Sequence, residues 1–216
     1  MIRGAIFDMD GVVLDSMAIW HDLGVRYLQG QQLSPEDGLN EKLFSMSMEQ
    51  GAAYLKAHYP LPYSEEEILR QLSDMVEHFY CEEVQAKDGI RQLLDALRHR
   101  NIPMVAATSS PRGHIEAALR RLGLLDYFRQ IYTTSEVGAS KHSPEIYRLC
   151  AAFLGAENAE TLVFEDSLYA LETAAADGFP TVGVCDLQGE VNQQGLQQRA
   201  DYYLKNISEY SVISLD

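Results

Sequence analysis

The sequence predicts an α/β protein: a doubly wound, Rossmann-like parallel sheet, interrupted after its first strand by an inserted all-helical segment. Three observations predict it. Short apolar runs alternate with segments of helical period along most of the chain. Polar residues cluster directly after those runs, where an open α/β sheet binds its ligands. One long block, residues 15–86, shows helical patterns and no convincing strand.

Residues 2–7 form the first apolar run, which ends in acid at Asp8. Residues 103–107 form a second, followed by Thr108, Ser109 and Ser110. Residues 130–133 are a weaker third, 161–164 a fourth and 181–184 a fifth. Runs this short and this apolar suit strands buried on both faces of a parallel sheet. Between them, Leu93, Leu94 and Leu97 keep one stripe after Gly89. Ser110 and Pro111 are expected to supply an N-cap and first-turn proline to a helix carrying Ile115, Leu119 and Leu122, which Gly123 stops. Ser143 and Pro144 open a further helix ending at Gly155, and another runs from about Ser167 to Gly178.

Within the helical block, Trp20, Leu23 and Tyr27 recur at spacings of three and four. Ser64 and Glu67 make a capping box ahead of Ile68, Leu72, Met75, Val76 and Phe79, and Pro60-Leu61-Pro62 separates two helices. The block holds four basic and thirteen acidic residues, so it carries −9 of the chain's net −15. It is expected to be a cap domain, residues 15–86, with residues 1–14 and 87–216 forming the α/β core.

With 216 residues, 46% of them hydrophobic and 23% charged, the chain can bury a sizeable core and is not disordered as a whole. Its acidic balance argues against a nucleic-acid surface, although a few local donors can still hold a small anion. No apolar run reaches the roughly 18 residues of a spanning helix, and the turn to acid at Asp8 is unlike a signal peptide. Cys81, Cys150 and Cys185 are odd in number and widely spaced, and are expected to be buried reduced thiols. The expectation is a cytoplasmic monomer with no membrane or nucleic-acid partner.

The chemistry sits at the ends of the apolar runs. Asp8 and Asp10 follow the first, Thr108 and Ser109 the second, Glu165 and Asp166 the fourth, and Lys141 arrives from a loop. Carboxylates balanced by one lysine make a hard-oxygen site suited to Mg²⁺ and not to zinc. Each piece alone has a plainer reading. Asp-x-Asp-Gly is a common turn, Thr-Ser-Ser a common cap, and Glu-Asp ahead of a helix complements its dipole. An EF-hand loop fails, because Met9 and Val12 stand where oxygen ligands are needed. Recurrence in order at three strand exits is what favours a site.

These residues stand in motifs that resemble those of the haloacid dehalogenase superfamily of phosphotransferases, in its subgroup with an α-helical cap after the first strand. Phe7-Asp8-Met9-Asp10-Gly11-Val12-Val13-Leu14-Asp15-Ser16 resembles the first motif, Thr108-Ser109-Ser110 the second, Lys141 the third and Phe164-Glu165-Asp166-Ser167 the fourth. Within the subgroup the chain is most similar to β-phosphoglucomutase and the sugar-phosphate phosphatases. The third motif reads Lys-His-Ser-Pro-Glu where the family has Lys-Pro-x-Pro-Asp, and Ala170 stands at a usual glycine.

The resemblance implies a Mg²⁺-dependent phosphatase acting on a small phosphorylated metabolite, a sugar phosphate, through an aspartyl phosphate. Asp8 would be the nucleophile and Asp10 the general acid and base. Asp8, the Asp10 carbonyl and Asp166 would hold the metal, with Glu165 reaching it through a water. Thr108, the Ser109 N–H and Lys141 would hold the phosphoryl oxygens. His21 is a candidate for a substrate hydroxyl; Trp20 reads as cap core, and Arg112 and His114 read equally as helix surface. Asp10 argues against a dehalogenase, and neither Lys42 nor Lys56 has the setting of a phosphonatase Schiff-base lysine. A non-catalytic binding module would have lost reacting residues. A phosphomutase needs a cap arginine in a segment that here reads Ser45-Met46-Ser47-Met48, with Met48 at the arginine position and Arg26, Lys42, Lys56 and Arg70 dispersed on helices.

Overall fold

The structure, a computed structural model, describes residues 1–44 and 46–215. The chain forms two compact units, one of Met1–Asp15 with the chain from Val84 onward, the other Ser16–Glu83.

In the first unit, β1 (Gly4–Phe7) leads through a tight loop to β2 (Leu14–Asp15). In the second, the helices are α1 (Met17–Gly30), α2 (Leu39–Phe44), α3 (Met48–His58) and α4 (Glu65–His78). The chain then continues in the first unit with β3 (Gln85–Ala86), α5 (Ile90–His99), β4 (Met104–Thr108), α6 (Arg112–Arg121), β5 (Phe128–Thr133) and α7 (Thr134–Val137). Next come α8 (Glu145–Leu154), β6 (Thr161–Glu165), α9 (Leu168–Ala176), β7 (Thr181–Val184), α10 (Gln193–Arg199) and β8 (Tyr202–Leu204).

Six parallel strands form the main sheet in the order β5-β4-β1-β6-β7-β8. The chain winds outward from β1 through β4 to β5, then crosses back to β6 and winds the other way. The reversal falls between β1 and β6, the crevice in which doubly wound sheets bind ligands. Register sets what meets there. Phe7 pairs with Phe164, so the residues that follow, Asp8 and Glu165, leave the sheet side by side.

Both faces of the sheet are covered, which is why its strands read as nearly unbroken apolar runs. On one face, Ile6, Val105, Ala107 and Val163 pack with Ile146, Tyr147, Cys150 and Ala151 of α8. The intervening Phe7 stacks on Phe164, ring centroids 4.2 Å apart, and meets Phe128 edge-on. Among the described residues, no helix is long and apolar enough to cross a membrane.

In the inserted unit, α4 buries Ile68, Leu72 and Val76 at helical spacing and starts with the expected capping box of Ser64 and Glu67. A second capping box, Ser47 with Gln50, starts α3. On α1, Ile19, Leu23, Tyr27 and Leu28 are buried, and Trp20 is half-buried. The helix α4 passes into one π-type turn, Phe79–Glu83, before the chain leaves the unit.

Several details differ from expectation. The ends of the block read as strand-free are in fact paired: β2 and β3 run antiparallel, Leu14 against Ala86 and Asp15 against Gln85. Two residues are too few to display a period of two. The sixth strand of the main sheet, β8, has three residues and is likewise too short to show a period. Pro111 itself occupies the N-cap position of α6, and the Ser110 hydroxyl is used elsewhere. The three cysteines are free, but only Cys150 is fully buried; Cys81 and Cys185 are half-buried.

Candidate active site

Asp8 is the first residue beyond β1 and is buried. Its Oδ1 accepts the Met9 N–H at 2.7 Å and lies 2.7 Å from the Lys141 Nζ. The loop behind it is tight: Val13 and Leu14 both donate to the Met9 carbonyl, and the Gly11 N–H donates to that of Leu14. Met9, Val12 and Val13 are fully buried, so the apolar residues of the motif anchor the loop while its acids stay at the sheet end. Gly11 has φ of +73°, and a Cβ there would fall 2.7 Å from the Asp166 Cγ and closer still to its Oδ2. Glycine is required twice over, for the backbone conformation and for the close approach of Asp166.

Lys141 is 3% exposed and bridges two carboxylates, since its Nζ also donates to Glu165 Oε1 at 2.7 Å. That same oxygen accepts the Tyr147 hydroxyl at 2.8 Å. Glu165 Oε2 is buried and has no hydrogen-bond partner among the described residues. Asp8, Glu165 and Asp166 each offer an oxygen within 4.8 Å of the others. Burial pushes the Asp8 carboxyl well above the usual carboxylate range; Lys141 pulls it down, and Glu165, Asp166 and Asp10 push it further up. Burial and then Glu165 push Asp166 up to about 8. Burial alone would lower the Lys141 ammonium, but Asp8 and Glu165 more than reverse this and raise it.

One ammonium among three crowded carboxylates leaves excess negative charge and an orphaned buried oxygen. A buried carboxylate oxygen without a donor is rare in a folded protein. A hard divalent cation fits this set of oxygens, because it satisfies the lone pairs and neutralises the charge together.

Around this cluster, Asp10 Oδ2 accepts the Ser110 hydroxyl at 2.6 Å. Thr108 is buried at the end of β4, and its Oγ1 accepts the Ser110 N–H at 3.0 Å. A hydroxyl used only as an acceptor keeps its own proton for a ligand oxygen. Ser109 is exposed beside it. The structure thus brings Asp8, Asp10, Thr108, Lys141, Glu165 and Asp166 to one end of the sheet. It does not do so for Arg112, which clamps Glu136 through two 2.6 Å bonds and the Ile131 carbonyl through another. His114 is half-buried on α6. His21 lies in the other unit, half-buried on α1 with its ring stacked on Phe44 at 4.1 Å.

Sequence reasoning missed two side chains. Ser110 reads as a helix cap, because a Ser-Pro pair ahead of a helix usually is one. Tyr147 lies in an apolar stripe with Ile146 and Cys150, a pattern that signals core and hides a hydroxyl.

A family model described as haloacid dehalogenase-like hydrolase matches residues 2–178. A phosphorylated carbohydrates phosphatase of Thermotoga maritima is 25% identical over 181 residues, 84% of this chain and 84% of its own. A β-phosphoglucomutase of Bacillus subtilis is 27% identical over 191 residues, 85% of this chain and 83% of its own. A crystal structure from Thermotoga maritima, of a protein described as a candidate β-phosphoglucomutase, shares the fold with a TM-score of 0.87 at 24% identity, covering 98% of both chains. The family match spans the sheet from its first strand to the end of α9, all the acids and the lysine included, and the chain belongs to the haloacid dehalogenase-like hydrolase family.

Proposed function

We propose that the protein is a Mg²⁺-dependent phosphatase that hydrolyses a small phosphomonoester, a sugar phosphate, through an aspartyl phosphate on Asp8. The observation that carries this reading is the setting of Asp8. Both of its contacts, to Lys141 and to the Met9 N–H, fall on Oδ1, which leaves Oδ2 as the attacking atom. A carboxylate so placed can act as a nucleophile and divide one hard displacement into two easier ones.

In the first step Asp8 Oδ2 bonds to phosphorus, the ester P–O bond breaks, and protonated Asp10 gives its proton to the leaving alkoxide. In the second, the Asp10 carboxylate takes a proton from water as the water oxygen attacks phosphorus. The acyl phosphate then opens, releasing phosphate and restoring Asp8. The Ser110 hydroxyl holds the Asp10 side chain. Lys141 spends two N–H groups on Asp8 and Glu165 and keeps a third for a phosphoryl oxygen. The Thr108 hydroxyl and the Ser109 N–H supply the other donors. For phosphoryl transfer such positioning and charge stabilisation do most of the catalytic work. Asp8, the Asp10 carbonyl and Asp166 would hold Mg²⁺, with Glu165 reached through a water; bound there, the ion offsets repulsion between carboxylate and phosphate.

Water, and not a second sugar phosphate, is the proposed acceptor. A mutase must grip a second phosphoryl group, and the cations of the inserted unit are already engaged. Arg26 pairs with Asp22 and Glu83, Lys42 with Glu36, Lys56 donates to the Leu61 carbonyl, and Arg70 lies 3.9 Å from Asp74. A cavity of about 320 Å³ in that unit, lined by Trp20, His21, Phe44, Met46 and Met48 among others, has no lysine or arginine among the described residues of its lining. Ser45 lies outside the described residues. His21 is proposed to hydrogen-bond a sugar hydroxyl.

A panel of phosphorylated sugars, polyols, nucleotides and small acids with millimolar Mg²⁺ tests the reading by phosphate release. Turnover abolished by EDTA and restored by Mg²⁺ is expected; turnover indifferent to EDTA refutes the metal assignment. With β-glucose 1-phosphate and catalytic β-glucose 1,6-bisphosphate, formation of glucose 6-phosphate faster than free phosphate would make the enzyme a mutase.

A further inference from the structure

We infer that Tyr147 is a positioning residue for the metal site, acting through Glu165, an inference that rests on the phosphatase reading. The sequence places Tyr147 on the first turn of α8, six residues beyond Lys141, on the face that packs against β1, β4 and β6. It is fully buried, with its ring against Phe179. A phenol in such a place needs a partner for its O–H, and its partner is Glu165 Oε1 at 2.8 Å, with a longer approach to the Ala170 carbonyl at 3.5 Å.

The consequence lies in how the two oxygens of Glu165 are shared out. Oε1 accepts both Lys141 at 2.7 Å and Tyr147 at 2.8 Å. Two donors from different directions fix the rotation of a carboxylate where one leaves it free to turn. Oε2 is left over, buried and without a donor among the described residues, in a residue that clusters with Asp8 and Asp166. Lys141 alone is a weaker constraint, because its Nζ is shared with Asp8 at 2.7 Å. Tyr147 donates from the wall of the core, on a helix that takes no part in the chemistry. It is also neutral, so it orients the acid without adding a second cation to compete with the metal. Residues that hold direct metal ligands from behind typically govern affinity by about 10–100-fold; Glu165 is proposed to act through a water, so the lower end of that range is the relevant one.

The test is Tyr147→Phe, which keeps the ring and removes only the hydroxyl. Mg²⁺ affinity is measured by calorimetry and by the Mg²⁺-dependent rise in melting temperature, with no substrate present. Affinity is expected to fall by about 10-fold. At saturating Mg²⁺ the substrate KM should stay close to wild type while the Mg²⁺ concentration for half-maximal rate rises. Phe179→Leu serves as the packing control: it loosens the same wall and lowers the melting temperature, yet should leave Mg²⁺ affinity unchanged. Wild-type affinity in Tyr147→Phe, within twofold, overturns the inference, as does an equal loss of affinity in Phe179→Leu. If the wild-type protein hydrolyses phosphomonoesters and binds Mg²⁺, such a result sinks this inference alone; if it does neither, the phosphatase reading falls as well.

Discussion

Replacing Lys141 with methionine removes the ammonium that lies between Asp8 and Glu165, both 2.7 Å away, and keeps most of the buried stem. The lysine is 3% exposed, so water cannot move in to replace its charge without opening the site. Breaking a buried ion pair by deleting one partner typically costs about 3–5 kcal/mol, because the other charge stays buried and uncompensated. At about 2–4 °C per kcal/mol for a chain of this size, the metal-free variant should melt about 6–20 °C below wild type at pH 8. The deficit should shrink as the pH is lowered, since protonating Asp8 and Asp166 removes the charge that Lys141 balances. It should also shrink with Mg²⁺, which takes over part of that neutralisation. Thermal melts and chemical denaturation with and without Mg²⁺ at pH 5, 7 and 8, beside Lys141→Arg as a charge-retaining comparison, measure each of these. A metal-free Lys141→Met protein within about 1 kcal/mol of wild type at pH 8 would refute the claim that this lysine neutralises a buried acidic cluster.

Asp8→Asn should leave no trappable phosphoenzyme, and Asp10→Asn should slow turnover by about 10²–10⁴-fold; a labelled intermediate in Asp8→Asn would assign the nucleophile elsewhere. Gly11→Ala should weaken Mg²⁺ binding by displacing Asp166 and should cost about 1–2 kcal/mol for its left-handed backbone, whereas Gly113→Ala, on α6 with nothing within 4 Å of the added Cβ, should be neutral or slightly stabilising by thermal melt. Without metal, stability should fall as pH rises from about 4 to 8. Unfolded aspartates release their protons near pH 4, whereas folded Asp166 keeps its proton up to about 8, so the unfolded state binds fewer protons in that window and the slope is negative. Saturating Mg²⁺ should flatten the curve, and a metal-free curve that rises over that window would refute the carboxylate assignment.

The fold class was legible because burial on both faces leaves a plain mark on a strand. Apart from Arg3, Thr161 and Thr181, residues 2–7, 103–107, 161–164 and 181–184 are non-polar without alternation, and four parallel strands lie there. Glycines after α6, α8 and α9 were legible as stops for a related reason: Gly123, Gly155 and Gly178 have φ of +65°, +67° and +86°, values few other residues adopt cheaply. Elements of two or three residues, β2, β3 and β8, carry no period and were lost. The exits of the strands were legible too, since acids directly after an apolar run are costly to place anywhere but at an end where they can be solvated or bound.

What only the tertiary structure decided is which atoms meet. Asp8, Lys141 and Glu165 lie far apart in the chain, and nothing local to any of them says that one lysine nitrogen bridges the two acids. That follows from the β1–β6 register and from the loop ahead of α8. The Ser110 hydroxyl turned from its expected helix to Asp10, because Pro111 took the cap position and left the serine beside the sheet end. Tyr147 was invisible for a physical reason: a tyrosine at core spacing looks like any other buried ring, and its one polar atom acquires meaning only from Glu165, eighteen residues away and on the neighbouring strand. Sequence determined the elements and their polar ends, because those depend on burial and local geometry; the pairing of charges across the crevice depends on register and packing, which exist only once the chain has folded.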